Sequence, residues 1–203
     1  MTDRLIQTGQ TLQDLLKPKE PVRLQSRDSV LAGVLMPLWD PGDEVQVVLT
    51  KRNSNLPHHA GQVSFPGGVK ELGDQDILAT ALRETHEEIG IEQSSVQIVA
   101  RLDQVMTITN FLITPFVGLL DDGVQFDPNP VEVERMVMVP LAKVLDKRNY
   151  RYADVDMEGA KLRQMGLSHN GDFIWGATAR MLMNLLDRLG TGASKVAVAS
   201  AAV

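Results

Sequence analysis

A chain of 203 residues, 43% of them hydrophobic, is long enough to bury the core of one domain. It contains no cysteine, which excludes disulfides, thiolate zinc sites and thiol nucleophiles. A formal net charge of -6 without any long basic run argues against a nucleic-acid partner, and no apolar run approaches the ~18 residues of a membrane span.

The N-terminal segment MTDRLIQTGQ lacks the apolar region of a signal peptide. Leu5, Leu12, Leu15 and Leu16 form an apolar stripe at helical spacing, with Pro18 as its stop. Residues 29–38 (SVLAGVLMPL) and 45–50 (VQVVLT) are apolar and β-branched around Asp40-Pro41-Gly42-Asp43, which predicts a β-hairpin. Residues 53–63 read as a polar loop. A helix runs from about Asp76 to Ile89 and stops at Gly90, the residue type that ends helices with a left-handed turn.

Strands follow over roughly 96–106 and 111–120, then an Asp-Asp-Gly turn at 121–123. Pro128 and Pro130 mark a loop, Val131 to Val139 alternates like a strand, and Leu141 to Leu145 reads as a short helical turn. Residues 146–173 are polar and irregular with strand-like pieces, and Trp175 to Leu189 has helical periodicity. The last stretch, TGASKVAVASAAV, shows no clear core face and predicts a flexible tail over 191–203; it does not end in the peroxisomal address. No repeat or second domain is visible. Residues 1–190 therefore read as one domain, with a core over about 28–189 and an N-terminal helix over about 3–17. Strands flanked by helices imply the α/β class, a mixed sheet between helical layers. The whole agrees with a soluble cytoplasmic enzyme whose partner is a small molecule, neither nucleic acid nor membrane; a homodimer is left open.

The most informative stretch is SFPGGVKELGDQDILATALRETHEEIGI, residues 64–91. Glu84, Glu87 and Glu88 stand at offsets of three and four, which brings three carboxylates to one helical face. Like charges at that spacing destabilise a helix by roughly 0.2–0.5 kcal/mol per pair, so such a face usually has a cation to hold. Oxygen-only ligands suit a hard divalent ion, Mg2+ or Mn2+. Phe65-Pro66-Gly67-Gly68 is a turn whose glycines let backbone approach a ligand or another segment closely. Together these features point to metal-assisted chemistry on phosphate.

On these residues the chain resembles the Nudix hydrolases. Gly68 opens a segment similar to their signature and Arg83-Glu84-Thr85-His86-Glu87-Glu88-Ile89-Gly90-Ile91 closes it. There is one extra residue between Gly68 and Arg83, so the signature's isolated Glu has no direct counterpart; Asp74 or Asp76 stands near its place. Thr85 replaces a usual apolar residue. The upstream run Leu49-Thr50-Lys51-Arg52, Leu56 and His59 to Gly68 resembles the coenzyme A pyrophosphatase branch, which carries the same insertion. Asn53 and Pro57 depart from that branch, where Ser or Ala and a basic residue are usual. Similarity continues through Ile113 to Gly118 and Trp175 to Ala179.

The resemblance implies a Nudix fold, an α/β/α sandwich with the signature as loop-helix-loop, and hydrolysis of a pyrophosphate linkage with Mg2+ or Mn2+. It implies Glu84 and Glu88 as the foremost metal ligands with Glu87 sharing the cluster, and Arg83 as the group that holds the carboxylates in position. Glu84 and Glu132 are the candidate bases. Arg52, His59, Ser64, Gly67 and Gly68 are the candidate substrate contacts, Arg52 by forking onto phosphate oxygens. For each, an ordinary surface role is the competing reading. His58 is an ordinary loop residue, His86 an exposed and incidental one, and Phe173 and Trp175 belong to the core. The implied substrate is a nucleoside diphosphate derivative of the coenzyme A type. ADP-ribose, NADH or a dinucleoside polyphosphate is the alternative, and a binding module without catalysis is disfavoured by the intact acids.

Overall fold

The computed structural model describes residues 1–17, 20–24, 28–157 and 159–201. Helix α1 (Asp3–Leu16) begins where the Thr2 hydroxyl accepts the Leu5 N–H at 3.1 Å, and buries Leu5, Leu12 and Leu16. Pro18, the expected stop, lies outside the described residues. Strand β1 (Val30–Trp39) turns into β2 (Gln46–Arg52), the expected hairpin, but the two are in register only at Leu38↔Val47 and Trp39↔Gln46. Below that point β1 changes partner. The short β3 (Val63–Ser64) pairs with β2, and β4 (Gly67–Val69) takes the β1 edge at Ala32, Gly33 and Val34.

Helix α2 (Ile77–Ile89) follows, then β5 (Val96–Arg101), β6 (Val105–Met106) and β7 (Phe111–Leu120). The single strand expected over 96–106 is thus interrupted. Asp103 leaves the ladder because its carboxylate pairs with Arg188 at 2.6 Å and accepts the Val22 N–H at 2.8 Å. Strand β8 (Val133–Pro140) runs straight into α3 (Leu141–Val144). The main sheet has the order β3-β2-β1-β7-β5, with β4 on β1, β6 on β7 and β8 on β2. It is mixed: β1 and β7 are parallel from Val30↔Phe111 to Leu38↔Leu119, and the other pairs are antiparallel.

Successive strand side chains alternate between faces, so both sides of the central strands must be covered. Val34, Met36, Leu38, Val47 and Leu49 join the core under α1 and the C-terminal helices. Leu35 and Phe116 pack with Ala81 of α2, and Val48 and Leu120 with Ile89 at its end. This is the sandwich of a mixed sheet between helical layers that the resemblance implies.

Residues 146–173, expected to be irregular with strand-like pieces, form β9 (Tyr150–Met157), β10 (Ala160–His169) and β11 (Asp172–Ile174). The β9–β10 hairpin is in unbroken register from Tyr150↔Leu167 to Met157↔Ala160, and with β11 makes a separate three-stranded antiparallel sheet. Helix α4 (Gly176–Leu189) matches its periodicity. The expectation of a flexible tail after Gly190 is corrected. Residues 193–200 form α5 (Ala193–Ser200), Val196 is 0% exposed, and the Val45 N–H donates to the Ser200 carbonyl at 2.9 Å. Helix α5 lies against α1, so its small residues pack close where large ones would not fit. Among the described residues no helix is long and apolar enough to cross a membrane.

Candidate active site

Helix α2 is fixed at both ends. The Asp76 carboxylate accepts the Leu78 and Ala79 N–H groups at 2.9 and 2.8 Å, and Gly90 closes the helix at φ 72°, a conformation that costs glycine little. Its buried face carries Thr80, Ala81, Thr85, Glu88 and Ile89. Thr85 is accommodated there because its hydroxyl donates to the Ala81 carbonyl at 2.7 Å, leaving its methyl to pack.

Arg83 is the hub of the neighbouring face. Its Nε and Nη2 fork onto the two Asp74 oxygens at 2.9 and 3.1 Å, Nη1 reaches Glu84 Oε1 and Glu87 Oε2, each at 2.9 Å, and Nη2 also donates to the Val69 carbonyl. Asp74 is 9% exposed and also accepts from the Thr80 hydroxyl and the Glu71 N–H. The Arg83 guanidinium, first among these partners, holds its carboxyl well below the usual range. Of the two aspartates left open by the sequence, Asp74 therefore anchors Arg83 and Asp76 caps the helix.

The glycine turn closes on the acids. A Cβ on Gly68 would stand 2.4 Å from Glu84 Cδ and Oε1, so the carboxylate lies against bare backbone. Glu88, 3% exposed, lies beside the Gly67 backbone, and its Oε2 is buried without a hydrogen-bond partner among the described residues. Burial pushes the Glu88 carboxyl up to about 8, the Arg52 charge opposes that, and the charges of Glu84 and Glu132 add to it. The Glu84 carboxyl is also raised, first by burial. Arg52 ends β2, and its Nε is buried without an acceptor among the described residues.

Glu132 reaches this group from the turn before β8. Strand β8 slips one residue against β2 between Lys51↔Arg135 and Arg52↔Val133, a bulge of the kind that re-aims side chains beside active sites. The turn is held on one side by the Asn129 N–H on the Glu88 carbonyl at 2.9 Å. On the other side Asn53 donates its N–H to the Glu132 carbonyl at 2.8 Å and its Nδ2 to the Pro130 carbonyl at 3.0 Å. Asn53 was legible only as a departure from a family pattern; no spacing rule gives its reach across 77 residues.

The other expected residues are less central. His59 stands in the exposed 53–62 loop at φ 56°, with Nδ1 3.2 Å from Gln62 Oε1. His58 is exposed in the same loop. Ser64 pairs with Thr50 across β3 and β2. His86 lies 3.6 Å from Glu92 on the outer side of α2. Phe173 and Trp175 are half-buried.

Among the described residues no three acidic or imidazole side chains converge as a closed cage, since Glu84 and Glu87 are drawn onto Arg83. The donor set nevertheless fits a hard divalent cation. Glu84, Glu88 and Glu132 repel one another, and the orphaned Glu88 Oε2 is a buried acceptor that a cation would satisfy.

Residues 30–156 match the NUDIX domain family. The chain is 37% identical over 172 residues to an uncharacterized Nudix hydrolase NudL of Photorhabdus laumondii, covering 85% of this chain and 91% of that one. It is 33% identical over 194 residues to the Yersinia enterocolitica protein of the same name, covering 93% and 99%. A solved Nudix hydrolase of M. smegmatis, RenU, is 20% identical with a TM-score of 0.48, over 57% of this chain and 73% of that chain. A family match through the central sheet and the carboxylate helix, with relatives alike along nearly their whole length, settles the kinship: the chain belongs to the Nudix hydrolase family.

Proposed function

We propose that the chain hydrolyses the pyrophosphate linkage of coenzyme A or an acyl derivative, giving 3′-phosphoadenosine 5′-phosphate and 4′-phosphopantetheine or its acyl form. The observation that carries this reading is the run from Leu49 to Gly68. It is the segment in which the chain resembles the coenzyme A branch; it lays the Gly68 backbone against Glu84 and brings the Arg52 charge near Glu88.

Members of this family generally use divalent metal ions, and Mg2+ or Mn2+ suits the oxygen donors here. Glu84 and Glu88 would hold the ion, with Glu87 and Glu132 sharing the negative cluster. Such a cation neutralises diphosphate charge and makes an attacking water more acidic. The chain's own part is distinct from that. Arg83, tied to Asp74, fixes Glu84 and Glu87 in place. Glu132 or Glu84 takes the proton of the water. Arg52 offers a guanidinium to the substrate's phosphates, and His59 lies on the loop above it. Hydrolysis breaks one P–O bond of the anhydride, and water supplies the new P–O bond and one proton.

Pro57 removes a cation from the 53–62 loop and Asn53 is committed to the Pro130 carbonyl. These two features favour, as a second reading, another nucleoside diphosphate derivative in the same site.

Mass spectrometry of products from coenzyme A, ADP-ribose and NADH at equal concentration separates the two. A higher kcat/KM for either competitor overturns the coenzyme A assignment. Arg52→Gln is expected to raise KM for coenzyme A more than it lowers kcat, the pattern of a group that binds ground state and transition state alike.

A further inference from the structure

The end of β2 and the turn before β8 meet through one side chain. Asn53 uses all of its polar atoms: N–H to the Glu132 carbonyl at 2.8 Å, Nδ2 to the Pro130 carbonyl at 3.0 Å, Oδ1 accepting the Asn55 N–H at 3.1 Å, and its own carbonyl accepting the Leu56 N–H at 3.2 Å. The first two bonds grip the Glu132 turn, and the last two start the 53–62 loop.

The turn has few other restraints. Asn129 accepts the Val131 N–H with Oδ1 and the Glu132 and Val133 N–H groups with its carbonyl, so the turn is internally closed. Among the described residues it is tied outward by the Asn129 N–H on the Glu88 carbonyl of α2, by the two bonds from Asn53, and by the pairing of Val133 with Arg52 past the bulge. Glu132 is therefore suspended between the carboxylate helix and the end of the strand that bears Arg52. The bulge in β8 makes this grip necessary, because the regular ladder is already interrupted between Lys51 and Arg52.

We propose that Asn53 is a positioning residue: its side-chain amide, clamped on the Pro130 carbonyl, sets the Glu132 carboxylate against Glu84 and Glu88. A serine or alanine at this position keeps the backbone bond to Glu132 but has no amide to reach Pro130. The catalytic part of the inference rests on the proposed diphosphatase activity, and the clamp itself does not.

The test combines amide exchange with kinetics. In Asn53→Ala, exchange in a peptide covering residues 129–133 should rise about tenfold, the loss expected for one hydrogen bond. With coenzyme A as substrate, kcat should fall about tenfold while KM changes less than about twofold. Glu132→Gln should lower kcat too, and adding Asn53→Ala to it should cost less than about threefold more, because both changes act through one carboxylate. Asn53→Ser, which loses the amide donor without adding charge, should behave like Asn53→Ala; it also serves if the alanine variant folds poorly.

Unchanged exchange over 129–133 overturns the clamp. An equal loss with and without Glu132, or a loss confined to KM, overturns the positioning role and shifts it to the 53–62 loop. A wild-type protein inert on every diphosphate tested refutes the proposed activity instead, and the exchange result then decides the clamp alone.

Discussion

Glu88 carries the sharpest physical tension in the molecule. A carboxyl ordinarily near 4.5 is pushed to about 8 by burial, so without a cation the folded state holds its proton more tightly than the unfolded chain does. The linked stabilisation is complete below about 4.5 and is lost as pH rises toward 8. In excess chelator the melting temperature should therefore fall between pH 5 and pH 8, by on the order of 4 °C or more. Glu88→Gln should flatten that slope, and Mg2+ should restore the wild-type protein at pH 8. Asp74 works in the opposite sense. Held low by Arg83, it contributes above its ordinary 3.8 and is lost only in strong acid, outside that window. For catalysis, chelator should abolish turnover and Mg2+ or Mn2+ restore it. Glu84→Gln or Glu88→Gln should cost roughly 10²–10⁴-fold in kcat with folding retained. Full activity in excess chelator would refute a metal-held diphosphate.

At the scale of elements, α5 gives the clearest departure from expectation. Val196 and Ala193 are buried, and a Cβ on Gly192 would stand 2.8 Å from Leu15 Cδ1 in α1. Truncation after Gly190 should lower the melting temperature by at least about 5 °C, and Val196→Ala alone should cost roughly 1–3 kcal/mol. A truncated protein that melts with the full chain would show that this packing is not used in solution.

The sequence conceals the helix because alanines and serines give weak periodicity; Ala193, Val196 and Ser200 share a buried side, but only Val196 is large. The β9–β10 hairpin is hidden for a related reason. Arg151, Tyr152, Asp154, Asp156, Lys161, Leu162 and Arg163 are all exposed, so no apolar alternation marks the strands. By contrast α2 is legible from residue type alone, since Asp76, the Glu spacing and Gly90 are local signals. Within the site, the Arg83–Glu87 pair follows from i,i+4 helical spacing. The Asp74 fork and the Asn53 grip do not, because both depend on how loops return.

Across the whole molecule, the two ends of the chain complete one core. Leu5, Leu12 and Leu16 of α1 belong to the same apolar cluster as Ala193 and Val196 of α5, and the sheet supplies the rest. Removing residues 1–16 together with residues 191–203 should cost less stability than the two truncations summed, because each leaves the other's partner surface exposed already. Additive losses in denaturant unfolding would contradict a shared cluster. The same closure has a bearing on synthesis. The first helix leaves the ribosome early, yet its apolar stripe cannot be fully covered until Val196 has also emerged. At ~5–20 residues per second, that leaves Leu5, Leu12 and Leu16 incompletely sheltered for roughly ten to forty seconds. Nascent chains stalled before residue 193 should therefore be the form of this protein most in need of a chaperone.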